Sequence, residues 1–585
     1  MKRLLTPVVI AVLAFSLGLG WHGNSRAAFH VPYLDETGTL QYATTIDITT
    51  CPAATLATGW YLVSGTVTCP SGTTVTINGD VHLILGNNSS LTVTRGASGN
   101  AGIRVSGKGN SLTVYAQSAD SGLMGALTAT GGANTMAGMD SGAGIGGGKS
   151  SDGGTVTING GEVTAIGGDY GAGIGGGANF GAGGTVTINS GTVTAIGGQW
   201  GAGIGGGWSG HGDTTIINGG TVTTTGGHWG AGIGGGWMGV GGAATINGGT
   251  VIANGGGYST GIGGGYASEG GVFTMTGGMV TASGGESSAG IGGGSGGDGG
   301  AVAISGGTVT ANGGNNGAGI GGGLVSVSGA VIISGGTVTA TGGASGAGIG
   351  GGYASGSYFG AGSQITITGD AQVTATGGDG SNFGGGAGIG AGSGYTAPMA
   401  VGAILIDTSG AVSATGGSAN GAYGAGANIG QGGYMGGDGT GIDKLTDPAN
   451  TSPNEGDSAS FTCNVTAMAG ALAPMFAWGW QFSASTGAPS WADTGVADAS
   501  LSLSPVTTSM AGLYRCTVTA TGFINDARSS VTYTSGSAEL MVTMTSPPPP
   551  PMLPPATVSV PALEPAALAL LALLLAGGAS MRRVQ

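Results

Sequence analysis

The sequence Gly-Ala-Gly-Ile-Gly-Gly-Gly at residues 142–148 decides the fold, because it recurs along the chain at a nearly fixed period. It returns unchanged at 171–177, 201–207, 230–236, 317–323 and 346–352, and in variant form at 259–265, 288–294, 386–392 and 426–432. Its central isoleucines are 29 or 30 positions apart from Ile145 to Ile349, and 40 apart in the last two units, at Ile389 and Ile429. A repeat of about 20 to 50 residues is typical of solenoids.

One repeat contains three short strands. In residues 155–177, TVTI and EVTAI alternate apolar and polar residues with a period of two, as half-buried strands do, and the glycine-rich motif follows. We expect Val156, Ile158, Val163, Ala165 and, in the glycine-rich segment, Ala172 and Ile174 to point inward. Three strands joined by glycine-rich corners predict one coil of an all-β, right-handed parallel β-helix. At about 29 residues per coil, the array predicts roughly 13 coils.

Stacked coils place equivalent residues above one another at about 4.8 Å. The sequence therefore predicts inward ladders, one made of Ile158, Ile188, Ile217, Ile246, Met275, Ile304 and Ile333, and another made of Val163, Val193, Val222, Val251, Val280, Val309 and Val338. A column of asparagines marks one corner: Asn159, Asn189, Asn218 and Asn247. Asparagine tolerates left-handed backbone and can hydrogen-bond along the stack, so we interpret this column as structural.

The composition excludes several classes of protein. The chain has 585 residues and 140 glycines, but no strict Gly-X-Y period, which excludes collagen. Charged residues make up only 6% and the net charge is −14, so the chain lacks the basic surface of a nucleic-acid-binding protein. Apolar residues reach 40% in a regular pattern, which argues against disorder.

The N-terminal residues have the pattern of a secretory signal. Lys2 and Arg3 precede an apolar run, and a small-x-small site predicts cleavage between Ala27 and Ala28, so residues 1–27 form the signal peptide. An exported protein can form disulfides, and we pair Cys51 with Cys69. The β-helix is predicted over 28–440, with an N-terminal cap to about residue 125 and regular repeats over 126–440.

Residues 446–545 differ in composition and carry a second pattern. Cys463 and Cys516 enclose three large aromatics on one strand, and the segment ends in Tyr514-Arg-Cys516. A cysteine, a tryptophan and then Tyr-x-Cys resembles bacterial immunoglobulin-like domains. The resemblance implies a β-sandwich with a Cys463–Cys516 disulfide between its sheets and a corner hydrogen bond from Tyr514. Trp480 is the preferred core tryptophan, because Trp480-Gln481 is similar to the Trp-Gln of that family.

The C-terminal region is predicted to be a Pro-rich linker at 546–557 and a sorting or transmembrane segment at 558–585. Val560-Pro-Ala-Leu563, Glu564-Pro565, an apolar run and Arg582-Arg583 resemble the IPTL-CTERM and PEP-CTERM sorting signals of Gram-negative bacteria. The resemblance implies processing by an exosortase-type membrane protease. The tryptophan usual after the first motif is missing, so the choice between the two systems stays open. A plain C-terminal membrane anchor is the alternative, and membrane contact is expected only there.

Candidate catalytic residues are few. Asp140 and Asp169 stand at equivalent positions of neighbouring coils, with no Lys or Arg in register, and His211 and Asp213 form a second loose pair. Parallel β-helices include polysaccharide lyases and hydrolases, but glycoside hydrolysis needs a closely spaced carboxylate pair. The metal-binding repeats of calcium-dependent β-helices are absent from the sequence. We therefore expect a non-enzymatic protein with no catalytic residues, no metal and no cofactor.

Two aromatic columns flank the glycine-rich motif, and we expect them to be exposed. Column one lies four residues before the anchoring isoleucine, and column two lies four residues after it. The candidate ligand-binding residues are Tyr170, Trp200, Trp229 and Tyr258 in column one, and Trp208, Trp237 and Tyr266 in column two. Flat rings beside Asp, Gln and His suit stacking on sugar rings. A self-stacked ladder that only stiffens the coils is the alternative.

The glycine-rich array resembles the parallel β-helix repeats of bacterial surface and adhesin-like proteins. The resemblance implies an exported, adhesin-like protein at the surface or outer envelope of a Gram-negative bacterium, or secreted after its tail is processed, that contacts extracellular polysaccharide or biofilm matrix. A purely structural stalk and a polysaccharide lyase or hydrolase are the alternatives. Outward Thr-x-Thr pairs such as Thr192 and Thr194 also resemble ice-binding solenoids, although threonine favours strands anyway.

Overall fold

A computed structural model describes residues 30–544, with gaps at 53, 95, 97, 108, 133–139, 355–363, 397, 398, 400, 436, 437, 439, 440, 446, 468–474, 488 and 522–529. The predicted cleavage site at Ala27 and Ala28, the linker and the C-terminal sorting segment therefore lie outside the described residues. Within the described residues, strands dominate and form a parallel β-helix followed by an immunoglobulin-like sandwich. No helix in this part of the chain is long and apolar enough to cross a membrane.

Three parallel sheets form the sides of the β-helix. Among the described residues, the valine sheet has 12 strands and the isoleucine sheet has 13, in line with the roughly 13 coils predicted. The valine sheet contains Thr66–Thr68, Ser90–Val93, Ala126–Thr130, Glu162–Ile166, Thr192–Ile196, Thr221–Thr225, Thr250–Asn254, Met279–Ser283, Thr308–Asn312, Thr337–Thr341, Gln372–Thr376 and Val412–Thr415. The isoleucine sheet contains Ile46–Ile48, Thr55–Val63, Val75–Leu85, Ser111–Ala116, Thr155–Ile158, Thr185–Ile188, Thr214–Ile217, Ala243–Ile246, Val272–Met275, Ala301–Ile304, Val331–Ile333, Ile365–Gly369 and Ile404–Thr408. The glycine sheet contains Ile103–Arg104, Ile145–Gly146, Ile174–Gly175, Ile204–Gly205, Ile233–Gly234, Ile262–Gly263, Ile291–Gly292, Ile320–Gly321, Ile349–Gly350, Ile389–Gly390 and Ile429–Gly430.

The observed register confirms the predicted ladders. Ile217 pairs with Ile188 and Ile246, and Val222 pairs with Val193 and Val251. These side chains are fully buried in one continuous core that extends through every coil. No coil could bury this apolar face alone, so stability comes from stacking.

The close packing of the glycine sheet requires residues that have no side chain. Gly205 has φ +134, and a Cβ there would collide with the carbonyl oxygen of Gly234 in the next coil. Glycine alone allows both this backbone conformation and this close approach.

The asparagine corner forms the predicted ladder. Asn189 Nδ2 donates to Asn159 Oδ1 at 2.7 Å, Asn218 Nδ2 to Asn189 Oδ1 at 2.7 Å, and Asn247 Nδ2 to Asn218 Oδ1 at 2.8 Å. Each amide therefore links one coil to the next, which confirms a structural role for this column.

An N-terminal hairpin packs on the outside of the first coils. Its strands, His30–Leu34 and Leu40–Thr44, are antiparallel. Val31 and Tyr33 contact a small cluster with Ile84 and Tyr115, and the Tyr33 and Tyr115 rings lie 4.8 Å apart. Cys51 and Cys69 form the predicted disulfide nearby.

The immunoglobulin-like domain contains strands Gly441–Leu445, Ala459–Thr462, Val465–Ala467, Met475–Ser483, Ala492–Asp493, Ser500–Leu503, Gly512–Thr521, Ser530–Thr534 and Ala538–Leu540, and the 3-10 helix Thr508–Met510. The Cys463–Cys516 disulfide forms as predicted, and Trp480 is fully buried. Trp480 Nε1 donates to the Asp498 carbonyl at 2.9 Å, and the Tyr514 hydroxyl donates to the Met510 carbonyl at 2.8 Å. These contacts confirm Trp480 as the core tryptophan and Tyr514 as the corner residue.

The sandwich joins the last coils by backbone pairing, which the sequence did not predict. Ser530–Thr534 adds to the isoleucine sheet in parallel with Ile404–Thr408. Gly441–Leu445, the first strand of the sandwich, precedes the predicted start of that domain at residue 446 and pairs with Ile429–Gly430 of the β-helix and with Val465–Ala467 of the sandwich. The open ends of two of the three sheets are therefore covered by strands of the second domain.

Candidate functional site

The backbone places the two aromatic columns side by side along one corner. The Trp208 N–H donates to the Tyr170 carbonyl at 2.8 Å, and the Trp237 N–H donates to the Trp200 carbonyl at 3.0 Å. The same bond runs from Tyr266 to Trp229 at 3.2 Å. Each column-two residue is thus held beside the column-one residue of the preceding coil.

The rings within each column are nearly parallel. In column one the centroids are 6.0, 5.5 and 5.1 Å apart from Tyr170 through Trp200 and Trp229 to Tyr258, at 8°, 16° and 19°. In column two, Trp208 and Trp237 lie 5.6 Å apart at 1°. Between the columns, the Tyr170–Trp208, Trp200–Trp237 and Trp229–Tyr266 pairs meet at 81°, 88° and 78°.

The coil repeat explains these angles. Coils are about 4.8 Å apart, but carbon atoms attract best at about 3.5 Å. Rings one coil apart reach that separation only if the ring normals tilt by about 43° from the stacking direction. Two columns tilted in opposite senses then meet at about 86°, close to the observed values. The seven rings form a herringbone, in which neighbouring rings cover one another's faces.

The rings are half-buried, not exposed as expected, because each covers its neighbours. The residues just before column one, Asp169, Gln199 and His228, are exposed and lie along the herringbone. The His228 ring contacts Trp229 at 4.7 Å and Tyr258 at 5.4 Å, edge to face in both cases. It lies over Gly257, where a Cβ would collide with the imidazole. This corner therefore presents ring edges beside an acid, an amide and an imidazole.

A second aromatic cluster lies further along the same side. Tyr353 stacks on Phe383 at 4.0 Å, and Tyr395 and Tyr423 contact Phe383 at 6.2 and 6.0 Å. Burial raises the pKa of Tyr353 to about 12. Tyr353 follows the column-two register, but the other rings come from the longer last units, where the 29-residue spacing gives no register. The sequence reasoning therefore missed that they gather.

The candidate catalytic residues serve other contacts. Asp140 forms an ion pair with Lys149, a basic partner that is not in register with the Asp140–Asp169 pair. The repeat spacing does not indicate this contact, because Lys149 belongs to the same coil as Asp140 and not to the equivalent position of a neighbouring coil. Asp169 is exposed, His211 Nδ1 accepts the Val240 N–H at 3.1 Å, and Asp213 accepts the Gly184 N–H at 3.0 Å.

Among the described residues, no group of three His, Cys, Asp or Glu side chains is placed to hold a metal ion. The groups present at the corner, aromatic rings with an acid, an amide and an imidazole, can make aromatic contacts and hydrogen bonds.

Comparison with known families agrees with this architecture. A β-helix repeat model matches eight segments: 156–178, 186–208, 216–237, 245–266, 273–295, 302–324, 331–353 and 365–393. An immunoglobulin domain model matches residues 449–529. No curated protein matches the sequence. The chain thus contains a β-helix repeat region followed by an immunoglobulin domain.

Proposed function

We propose that the protein is an exported, non-enzymatic, adhesin-like component of the cell envelope that contacts extracellular polysaccharide or matrix through the herringbone corner. The observation that carries this proposal is the array of half-buried rings flanked by Asp169, Gln199 and His228. Ring edges and C–H groups can contact the apolar parts of sugars, while the polar row hydrogen-bonds their hydroxyls.

Two disulfides support export, because such bonds persist in oxidising compartments. The N-terminal signal pattern agrees with export. The sorting segment would place the mature protein at the surface of a Gram-negative cell or release it after exosortase-type processing. Mass spectrometry of surface-extracted protein tests this step, since a processed chain lacks the Arg582-Arg583 peptide.

The binding test replaces Trp200 and Trp229 together by alanine. We expect reduced pull-down on insoluble polysaccharides, measured beside the melting temperature of the same protein. Thr192→Ala with Thr194→Ala on the valine sheet is the control, because it removes outward side chains from another side of the coils. Unchanged binding with a lower melting temperature would refute polysaccharide contact along the interior rings of the columns.

A purely structural stalk is the second candidate, and the herringbone itself favours it. Rings in van der Waals contact along four coils stiffen the β-helix without any ligand. On this reading, the tryptophan double variant loses stability, and the parent protein binds none of the polysaccharides. Assays for reducing ends and unsaturated sugars test the remaining alternative, a lyase or hydrolase.

A further inference from the structure

A sugar ring stacks on an aromatic side chain only where a ring face is free. Within the herringbone, Trp200 has Tyr170 on one side and Trp229 on the other, and Trp237 meets it edge-on. Rings inside the columns therefore offer edges, and free faces can exist only where a column ends.

The N-terminal end of the herringbone is occupied. Phe180 lies 6.0 Å from Trp208 on the side of the preceding coil. The coil before Tyr170 carries the Asp140–Lys149 ion pair at this corner, with Ser141 fully buried beside it. Phe180, itself 71% exposed, thus lies against the N-terminal side of Trp208, and the charged pair lies beside the position that precedes Tyr170.

The C-terminal end is open. After Tyr258 and Tyr266, the next coil has Ser287 and Ser295 at the two column positions, only 7% and 9% exposed. At this corner, two tyrosine rings are therefore followed in the next coil by two short, buried side chains. Tyr258 has Trp229 at 5.1 Å on its N-terminal side, and no aromatic residue occupies column one in the next coil.

The last two rings of the herringbone form an angled surface. Tyr258 and Tyr266 lie 6.2 Å apart at 77°, so a flat ligand on one ring meets the other at its edge. Glu286 and Asn315 are exposed in the two following coils, at the positions that continue the polar row. A carboxylate and an amide accept and donate hydrogen bonds to hydroxyls, and the negative charge disfavours uronic acids.

We propose that one pyranose unit of a neutral polysaccharide stacks on the free face of Tyr258, bounded by Tyr266, with Glu286 and Asn315 hydrogen-bonding its hydroxyls. The inference rests on the proposed contact with polysaccharide and adds its site and its class of sugar. The polymer crosses the corner at Tyr258 and Tyr266 and does not lie along the columns. The net charge of −14 acts in the same direction as Glu286 against anionic polymers.

Affinity electrophoresis of the full chain tests the proposal, with gels that contain hydroxyethyl cellulose, xylan or alginate. Tyr258→Ala is compared with Tyr170→Ala, which removes the ring at the other end of the same column, and with Tyr258→Phe, which keeps the ring face. We expect a neutral polymer to retard the parent, alginate to have no effect, and Tyr258→Ala to weaken binding about tenfold. Tyr258→Phe should retain binding, Tyr170→Ala should lose less binding than Tyr258→Ala, and melting curves check the fold of each variant.

Equal loss in Tyr170→Ala and Tyr258→Ala would overturn the end site but leave the corner as a binding strip. Full binding by a folded Tyr258→Ala would overturn it as well, as would stronger retardation by alginate than by the neutral polymers. If no polymer retards the parent, the proposed function itself fails.

Discussion

Arg515 of the immunoglobulin domain forms an ion pair with Asp407 in the last coil of the β-helix. Arg515 Nη1 lies 2.5 Å from Asp407 Oδ1, and Nη2 lies 3.4 Å from Oδ2. Arg515 Nε also donates to Gln481 Oε1 at 2.9 Å, and its guanidinium lies 4.2 Å from the centre of the Trp491 ring. One side chain thus connects the two domains and is oriented by the sandwich.

The first prediction concerns this ion pair. The Arg515 and Asp407 side chains are only 14% and 35% exposed, so their attraction is less screened than that of a surface pair. Arg515→Ala, Asp407→Ala and the double variant should give a coupling energy of about 1 kcal/mol in calorimetric unfolding. Glu455→Gln, at an exposed position of the sandwich, is the control. Strictly additive single effects would show that the ion pair does not hold the domains together.

The second prediction concerns the isoleucine ladder. Ile217→Asp places an unpaired carboxylate in the fully buried core and should destabilise the β-helix by several kcal/mol. Thr225→Asp puts the same charge on an exposed position of the adjacent strand and should have little effect. Circular dichroism melting curves compare the two. Equal melting temperatures would contradict the inward assignment of Ile217.

The third prediction concerns a buried hydroxyl. Thr224 pairs with Ala195 and Ala253 in the adjacent coils, is fully buried, and its Oγ1 has no hydrogen-bond partner among the described residues. Thr224→Val keeps the shape and removes the unsatisfied group, so it should stabilise the protein by about 1 kcal/mol. Thr223→Val, half-buried on the outward face, is the matched control. A lower stability of Thr224→Val would mean that the hydroxyl is satisfied in solution.

The fourth prediction concerns backbone strain. Val325 has φ +58, a left-handed conformation that is unfavourable for a β-branched residue. Asn179 adopts φ +59 at the equivalent corner of an earlier coil. Val325→Asn should therefore stabilise the protein by about 1 kcal/mol, as measured by chemical denaturation. Val327→Asn, two residues away, should give no such gain, and a similar gain there would exclude strain as the cause.

The fifth prediction concerns alkaline pH. Burial, with smaller effects from Tyr33, Glu36 and Asp80, raises the pKa of Tyr115 from 10.0 to about 12. The fold therefore favours the neutral phenol, and this contribution is complete below pH 10 and lost as the pH rises to about 12. Tyr115→Phe should show a smaller loss of stability over this range in melting curves. Tyr42→Phe, on the exposed hairpin surface, serves as the control. A loss as steep as the parent's in Tyr115→Phe would contradict the assignment.

The sequence was sufficient to predict the structure where each coil repeats the strand pattern of the coil before it. The spacing of Ile188, Ile217 and Ile246 gave their burial and register, because a period-two strand in a fixed repeat leaves one arrangement that buries every apolar residue. The Cys463–Cys516 pairing and the role of Trp480 followed from a pattern that belongs to a whole domain.

Features set by distances across the stack were not readable from the sequence. Trp200 is half-buried because its ring is tilted against the rings of the neighbouring coils. The tilt arises because the coil repeat is longer than a van der Waals contact. The parallel pairing of Ser530–Thr534 with Ile404–Thr408 joins segments more than 100 residues apart, and neither strand's own alternation marks its partner. The open end of column one at Tyr258 could be recognised only from the herringbone packing together with the burial of Ser287 in the next coil.

The pairing of Ser530–Thr534 with the last coil determines how the molecule would respond to mechanical load. Tension on the C-terminal side of the sandwich reaches the β-helix through these backbone hydrogen bonds and the Arg515–Asp407 ion pair. A pull along the β-helix axis acts along the hydrogen bonds, so they would break one after another instead of all together. The Cys463–Cys516 disulfide limits how far the sandwich can extend, and failure would begin at this joint and then release the coils singly from the C-terminal end.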